Sequence, residues 1–226
     1  MMNGPEYLEI AEVINRTLGE LRGLELVDLG AGSGRVTRQL AELGANVIGV
    51  EPDPEQVARA NAAGAAHYVR ASAEQTGLAS ESFDIALFSL SLHHISDMAG
   101  ALHESCRITK VGGRIAAIEP LAPDPMYPIM RFIDDESEAY ARAQTALDGF
   151  VASGALRRQK ALHFASKYRV DEPDALLEDF IAIDTRRSLS ATDRPAFETA
   201  FAAAHRSDVS GGYLPYWSRI DVFSRL

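Results

Sequence analysis

With 226 residues, of which 46% are hydrophobic and 24% charged, the chain has the length and composition of one globular domain with an elaboration. The net charge of -10 disfavours an extended contact with nucleic acid, because the phosphates would be repelled. No apolar run approaches the ~20 residues that span a bilayer, so we expect no membrane insertion. The segment 1–6 lacks the pattern of a secretory signal, and Cys106 is the single cysteine. We therefore expect a cytoplasmic protein.

Apolar runs alternate with helical patterns through the first half of the chain, which predicts βαβ units and a parallel sheet. The predicted elements of this half are a helix at 6–22, a strand at 24–29, a helix at 36–43, a strand at 46–50, a helix opened by Pro54, strands at 67–70 and 83–89, a helix at 97–108 and a strand at 114–119. We therefore expect an α/β fold.

A proline-rich connection begins at Pro120, and after it an apolar stripe at helical spacing predicts one or two helices up to Phe150. The remaining predicted elements are a helix at 174–180, a strand at 181–187, a helix at 195–205 and a strand at 216–223. We expect a single domain over 1–226, with residues 120–168 as a helical cap over the ligand edge of the sheet.

The first predicted strand runs directly into the glycine-rich segment 30–34, which a helix follows. Glycines at alternate positions allow a sharp turn and a close approach of the backbone to a ligand. The spacing does not fit G-x-G-x-x-G, since Arg35 stands where that dinucleotide motif needs its third glycine. Asp28, just before the loop, would oppose a pyrophosphate but suits a cationic amino group such as that of methionine. The alternative is a tight turn without a ligand.

Glu51 ends the second predicted strand, about 20 residues beyond the glycine loop. A carboxylate in that position can accept hydrogen bonds from both hydroxyls of a ribose. Alone it would be taken for a solvated acid at a strand end. Together with the glycine loop it indicates a nucleoside ligand.

With these motifs the sequence resembles the class I S-adenosylmethionine-dependent methyltransferases, and among them the ubiquinone/menaquinone C-methyltransferase-like (methyltransferase type 11) group. The resemblance covers about residues 24–119 and rests on VDLGAGSG at 27–34, GVEPD at 49–53, SFDIA at 82–86, SLHHI at 91–95 and the glycine pair at 112–113. It implies a Rossmann-like, seven-stranded methyltransferase sheet, mostly parallel with an antiparallel last strand. It also implies a transferase whose cofactor is S-adenosyl-L-methionine.

The resemblance further implies which residues bind this cofactor. The methionine end is assigned to the first strand and the glycine loop, the ribose to Glu51, and the adenine to the neighbourhood of Pro52 and of Ser72-Ala73. Ser72 stands where the family usually has an aspartate, so its hydrogen bond to the adenine amino group would be uncharged. The implied cofactor residues are Asp28, Gly30, Ala31, Gly32, Gly34, Glu51, Pro52, Ser72, Ala73 and Ser89.

Two histidines, His93 and His94, follow the fourth predicted strand at the edge where the cofactor is expected. Methyl transfer from a sulfonium is an in-line displacement, for which the protein mainly positions the acceptor and removes water. An acceptor that needs a base could use a histidine at neutral pH. Either residue is a candidate catalytic base or orienter; the alternative is one packed and one solvated histidine. No metal-ligand spacing is formed, so we expect no metal.

We expect a small-molecule acceptor, methylated on carbon or oxygen. The segment 88–92 lacks the Asn/Asp-Pro-Pro-aromatic motif, which together with the acidic charge argues against a methyltransferase of DNA amino groups. Only one helix precedes the first strand, so we expect the segment 120–168, with its apolar stripe from Met126 to Phe150, to exclude water from the site. Met130 and Tyr140 would line the acceptor pocket. A homodimer could bury the same stripe.

Two other hypotheses stay open at this point. A protein that binds the cofactor without catalysis, as a sensor or partner subunit, would share the glycine loop and Glu51. A nicotinamide-dependent oxidoreductase would share the sheet, but the glycine spacing disfavours it. Conversion of the cofactor to S-adenosylhomocysteine distinguishes the enzyme from the sensor.

Overall fold

A computed structural model describes residues 5–226, apart from the side chain of Ile183. The strands are β1 (Glu25–Leu29), β2 (Asn46–Glu51), β3 (His67–Arg70), β4 (Phe83–Ser89), β5 (Thr109–Pro120), β6 (Leu156–Arg169), β7 (Arg206–Asp208) and β8 (Gly211–Arg225). The helices are α1 (Ile10–Leu18), α2 (Arg35–Glu42), α3 (Pro54–Ala63), α4 (Met98–Ile108), α5 (Tyr127–Met130), α6 (Ser137–Ala152), α7 (Pro173–Ile183) and α8 (Arg194–Ala204), with a 3-10 turn at Leu92–His94. None of the helices in the described part of the chain is long and apolar enough to cross a membrane.

The strands form one sheet in the order β3-β2-β1-β4-β5-β8-β6, with β7 paired to β8. The pairs β1–β2, β1–β4, β2–β3 and β4–β5 are parallel, whereas β7–β8 is antiparallel. β1 and β4 are almost continuous apolar runs because strands inside a parallel sheet are buried on both faces. The expectation of an α/β fold with a mostly parallel sheet and antiparallel C-terminal strands is confirmed. Within residues 5–226 the sheet has eight strands rather than the seven that we expected.

The chain divides into two compact units. Among the described residues, the first unit contains 5–9, 120–141 and 163–218. The second contains 10–119, 142–162 and 219–226, and therefore all of β1–β4 and α1–α4.

Each unit has its own apolar core, and the stripe predicted from Met126 to Phe150 is divided between the two. In the second unit, Leu147 and Phe150 of α6 belong to the cluster that includes Phe88 of β4. In the first unit, the part of the stripe around α5 packs with residues of α7 and α8. The members of that cluster are Met126, Ile129, Met130, Ile133, Val170, Leu176, Phe197, Phe201 and Leu214. The beginning of the stripe thus has a partner surface within its own unit.

Residues 156–168, which were predicted as part of a helical cap, form most of the strand β6. This strand is the last in the sheet order, and its sequence carries five basic residues among its 14. Charged side chains are typical of edge strands, since they oppose pairing with other chains. They also hide the apolar alternation from a sequence pattern. The place of residues 120–168 over the ligand edge stays a prediction.

Two further predicted elements were wrong in type or extent. The strand predicted at 181–187 is partly helix, because α7, opened by Pro173 at its first turn, continues to Ile183. The first helix was predicted over 6–22 but spans only Ile10–Leu18, because Gly19 adopts a left-handed φ of 75° and its N–H binds the carbonyl of Asn15.

Candidate cofactor site and its neighbouring histidines

The glycine loop joins β1 to α2, and its three glycines have different tasks. Gly30, Gly32 and Gly34 have φ values of 78°, 55° and 78°, in the left-handed region that favours glycine. A Cβ at Gly30 would lie 2.6 Å from the Cβ of Ser91, and one at Gly34 would collide with the Tyr68 hydroxyl. Around a Cβ added at Gly32, no atom of the described residues other than its chain neighbours lies within 4 Å. Gly30 and Gly34 therefore permit packing, whereas Gly32 leaves space that a ligand can occupy.

Asp28 is a buried carboxylate with one unpaired oxygen. Its side chain accepts a hydrogen bond from the Thr37 hydroxyl at Oδ2, over 2.6 Å, and the residue is 1% exposed. Oδ1 is buried and has no hydrogen-bond partner among the described residues. Burial, which outweighs the lowering effect of the Thr37 hydrogen bond and is helped by the negative charge of Glu51, raises the pKa of Asp28 to about 6. Because unpaired buried acceptors are rare, Oδ1 marks a place for a donor from a ligand.

The strand register places Asp28, Glu51 and Ser89 on the same face of the sheet. Asp28 is paired with Gly49 of β2 and with Leu87 of β4. Glu51 and Ser89 follow those partners by two residues, and residues two apart share a face. The Ser89 hydroxyl is also buried without a hydrogen-bond partner in the described chain. Three polar side chains thus meet at the carboxyl ends of β1, β2 and β4.

Glu51 is 9% exposed and is tied to the glycine loop. Its Oε2 accepts the N–H of Gly32 at 2.9 Å, and its Oε1 accepts the N–H of Asp53 at 3.0 Å. A carboxylate has about four lone-pair positions, so two remain for further donors such as ribose hydroxyls. Pro52, predicted beside the adenine, is exposed next to this carboxylate, and Ala31 of the loop is partly buried.

Tyr68 on β3 supports the glycine loop and was missed by sequence reasoning. Its ring lies beside Gly49, where an added Cβ would be 2.5 Å from the Tyr68 Cδ1. Its hydroxyl donates a long hydrogen bond of 3.4 Å to the carbonyl of Gly34. The available signal was the isolated Gly49 inside a strand, which often marks a close approach of another group.

The segment predicted to meet the adenine is fixed by α4. Ser72 is partly buried and Ala73 buried, and Thr76 follows them in the same loop. Glu104 accepts both the N–H and the hydroxyl of Thr76, at 3.0 and 2.5 Å. Arg107, 2.7 Å from Glu104, is the largest cause that lowers the Glu104 pKa to about 2. The Glu104 carboxylate therefore stays ionised and holds this loop at neutral pH.

The turn after β4 is tied to two neighbouring strands. Leu90 has a φ of 57°, a conformation that is costly for a residue with a side chain. Its N–H binds the carbonyl of Ile118 on β5 at 2.8 Å. The Ser91 hydroxyl binds the carbonyl of Leu29 on β1 at 2.6 Å. These bonds fix the direction in which the following histidines leave the sheet.

The two histidines have different environments. His93 is buried, and its Nδ1 lies 2.5 Å from Oε2 of Glu119, with side chains only 3% and 1% exposed. The other oxygen of Glu119 accepts the N–H of Leu92 at 3.0 Å. His94 is exposed, and its ring centroid lies 4.0 Å from that of His93. Sequence reasoning missed Glu119, whose signal was an acid inside an apolar strand. The catalytic roles of both histidines stay predictions.

The residues predicted for the acceptor pocket belong to the first unit. Met130 is buried in its core, and the Tyr140 hydroxyl donates to Oε2 of Glu136 at 3.0 Å. The buried Arg187 binds Glu136 at 2.9 Å and Asp134 at 3.0 Å. Burial and the Glu136 charge raise the pKa of Tyr140, so its hydroxyl keeps its proton at neutral pH. Because the single O–H hydrogen of Tyr140 is given to Glu136, its oxygen can offer a ligand only acceptor capacity while that bond is kept. The place of Tyr140 in a pocket stays a prediction.

Comparison with known proteins agrees with the motifs: residues 27–117 match the methyltransferase domain family. This segment, which begins within β1 and contains β2–β4, the glycine loop and both histidines, is therefore similar to S-adenosylmethionine-dependent methyltransferases. Over 98 residues it is 37% identical to the ubiquinone biosynthesis O-methyltransferase of Methylobacterium sp. (strain 4-46), covering 41% of this chain and 39% of that protein. Over 107 residues it is 33% identical to the demethylmenaquinone methyltransferase of Tropheryma whipplei (strain Twist), covering 46% and 45%. The match thus spans less than half of each relative.

Solved structures agree with the methyltransferase fold over nearly the whole chain. An S-adenosylmethionine-dependent methyltransferase from Mesorhizobium loti has a TM-score of 0.55 at 20% identity, covering 93% of this chain and 95% of that one. At this identity the similarity concerns the fold, and it confirms the expected Rossmann-like architecture.

The methyltransferase site has residues that fit S-adenosyl-L-methionine. The unpaired, buried Oδ1 of Asp28 suits the cationic amino group of the methionine end. Glu51 retains acceptor positions that suit the ribose hydroxyls. The open space beside Gly32 lets the ligand approach the loop backbone.

Proposed function

We propose that the protein transfers a methyl group from S-adenosyl-L-methionine to a small-molecule acceptor, on oxygen or carbon. The observation that carries this proposal is the buried Asp28 carboxylate, with its unpaired oxygen at the end of β1, inside a methyltransferase domain. When bound, the cofactor supplies an electrophilic methyl group on a sulfonium. The residues of this chain bind it, orient the acceptor and keep water out.

The proposed cofactor contacts follow the three strand ends. Asp28 and Ser89 hold the methionine end, together with the loop residues Gly30, Ala31, Gly32 and Gly34. Glu51 binds the ribose hydroxyls, and Pro52 lies beside the adenine. Ser72 and Ala73 contact the adenine edge from the loop that Glu104 fixes. The unpaired atoms at Asp28 and Ser89 support this assignment.

His93 is the proposed base that removes a proton from the acceptor, and His94 is the proposed orienter. The support for His93 is its contact with Glu119, because a carboxylate stabilises the imidazolium that forms on proton uptake. The exposure of His94 leaves its ring accessible to an incoming acceptor.

The proposed acceptor is a hydroxyl or ring carbon of a quinone precursor. The support is that the two relatives are named for ubiquinone biosynthesis and for demethylmenaquinone. We propose that residues 120–168 cover the site, with Met130 and Tyr140 lining the acceptor pocket, in a monomer or a homodimer in the cytoplasm. A crystal structure with bound cofactor tests the pocket: Tyr140 far from the cofactor methyl group in its own chain and in every symmetry partner would contradict it.

A turnover assay tests the activity. The purified protein is incubated with S-adenosyl-L-methionine and a panel of hydroxylated and demethylated quinols, and S-adenosylhomocysteine is measured. We expect acceptor-dependent product, which Asp28→Ala abolishes and which Glu55→Ala, an exposed acid on α3, preserves. Cofactor binding without product across the panel would contradict the proposed activity on quinols. If S-adenosyl-L-methionine does not bind, the proposed cofactor site itself is wrong.

A further inference from the structure

We infer that Glu119 is a positioning residue, which fixes His93 with its proton on Nδ1 and so makes Nε2 the basic nitrogen. This inference rests on the proposed function, because it concerns how the base of that reaction is prepared. Glu119 acts through His93 and does not itself contact the acceptor.

The short contact between the two side chains is the observation that supports this tautomer. Nδ1 of His93 and Oε2 of Glu119 are 2.5 Å apart, with both side chains almost completely buried. We infer that the Glu119 carboxylate is the acceptor in this contact, as it is for the N–H of Leu92, so that the hydrogen between the two atoms is the one on Nδ1. In the neutral imidazole one nitrogen carries the proton, and the other, Nε2, then has the lone pair.

Glu119 also fixes the backbone that carries His93. Its Oε1 accepts the N–H of Leu92, so one carboxylate binds both the 3-10 turn and the ring that projects from it. The two residues before this 3-10 turn are also fixed, Ser91 by its bond to β1 and Leu90 by its bond to β5. Because the His93 ring is fixed at its backbone and at Nδ1, it loses little further conformational freedom when the acceptor binds, which favours proton transfer in a fixed geometry.

The proton and charge balance is simple. The acceptor loses one proton to Nε2 of His93, and its freed electron pair forms the bond to the methyl carbon. The bond from that carbon to sulfur breaks, and its electron pair stays on sulfur. His93 becomes an imidazolium beside the negative charge of Glu119, so the buried pair changes from a single negative charge to neutral and the positive charge of the sulfonium is transferred to the imidazole.

Glu119→Gln tests the inference with little change in size. The glutamine oxygen still accepts the N–H of Leu92, but its amide nitrogen now donates towards Nδ1 of His93 and drives the proton to Nε2. We expect nitrogen-15 NMR of histidine-labelled protein to show protonated Nδ1 in the wild type and protonated Nε2 in the variant. We expect kcat to fall roughly 100-fold or more, while KM for the cofactor and acceptor changes little.

Asp84→Asn is the matched control. Asp84 lies at the other end of β4, where it accepts the N–H of Glu25 at 2.9 Å and binds Lys110 at 2.7 Å. This variant should leave the His93 tautomer and kcat as in the wild type. A wild-type His93 with its proton on Nε2 would overturn the inference, and this measurement needs no variant to fold. An unchanged kcat in folded Glu119→Gln would overturn it as well.

Failure of the proposed function gives a different result. A wild type that binds no S-adenosylhomocysteine refutes the cofactor site, whatever the tautomer. A wild type that binds it, shows protonated Nδ1 and loses turnover only on Glu119→Gln supports both statements.

Discussion

The buried charge of Asp28 should reduce the stability of the ligand-free protein while it favours cofactor binding. Its carboxylate is 1% exposed, and only one of its oxygens is hydrogen-bonded. Ionisation in this place therefore costs free energy that no contact in the described chain repays in full. The substitution Asp28→Asn removes the charge and keeps an oxygen that can accept the Thr37 hydroxyl.

The pKa of Asp28 sets the size and sign of the effect. A pKa raised from 3.8 to about 6 means that the folded state binds the proton more tightly than the unfolded state. The folding stability that comes from this tighter proton binding is fully present below pH 3.8 and is lost as the pH rises through about 6. At neutral pH the ionised form costs about 3 kcal/mol of folding stability. Between pH ~7.5 and pH ~5 the wild type should gain about 1.4 kcal/mol that the variant does not gain.

Urea unfolding of ligand-free protein at these two pH values measures the difference. The change in unfolding free energy between the two pH values is a better measure than its value at one pH. The new amide N–H of asparagine could cost about 1–3 kcal/mol at every pH and so mask the stability gained by removing the charge. In the same variant, calorimetry should show S-adenosylhomocysteine binding weakened by roughly 1.5–3 kcal/mol, the loss of a charged hydrogen bond. Equal pH slopes for wild type and variant would refute the buried charge, and unchanged affinity would refute its contact with the amino group.

Substitutions at three further positions, Glu51, Gly32 and Tyr68, test the surroundings of Asp28. Glu51→Ala should weaken cofactor binding by roughly 1–3 kcal/mol, with Glu55→Ala as the control; a folded variant with unchanged affinity would place the ribose contact elsewhere. Gly32→Val should weaken binding at least as much, because it fills the open space beside the loop and strains a φ of 55°; normal binding would show that the ligand does not approach there. Tyr68→Ala should lower the free energy of unfolding by roughly 3 kcal/mol or more, by leaving a cavity beside Gly49. Tyr68→Phe should cost less than about 1 kcal/mol, because its bond to Gly34 is long; a larger loss in urea titration would contradict the packing role.

The parallel half of the sheet could be predicted because local patterns determine it. β1 and β4 are buried on both faces, so their apolar runs stand out in the sequence. Asp28, the glycine loop and Glu51 lie at the ends of such strands, and the loop spacing is itself a local motif. The same reasoning failed for β6, because the basic residues of this edge strand interrupt the apolar pattern.

Contacts between distant residues could not be predicted in the same way. Glu119 is 26 positions from His93, and Tyr68 is 34 positions from Gly34. Their pairing depends on the strand register, which brings the ends of β4 and β5 together and places Tyr68 beside Gly49. The division of the apolar stripe between two cores likewise depends on where α5 and α6 pack. Periodicity identifies an apolar face but not its partner.

A calorimetric titration with S-adenosylhomocysteine and with NADH decides whether the site formed by Asp28, Gly32 and Glu51 binds a methionine-derived nucleoside. We predict that S-adenosylhomocysteine binds to the wild type, that Asp28→Asn weakens this binding, and that NADH gives no binding heat. NADH binding more tightly than S-adenosylhomocysteine would contradict the account.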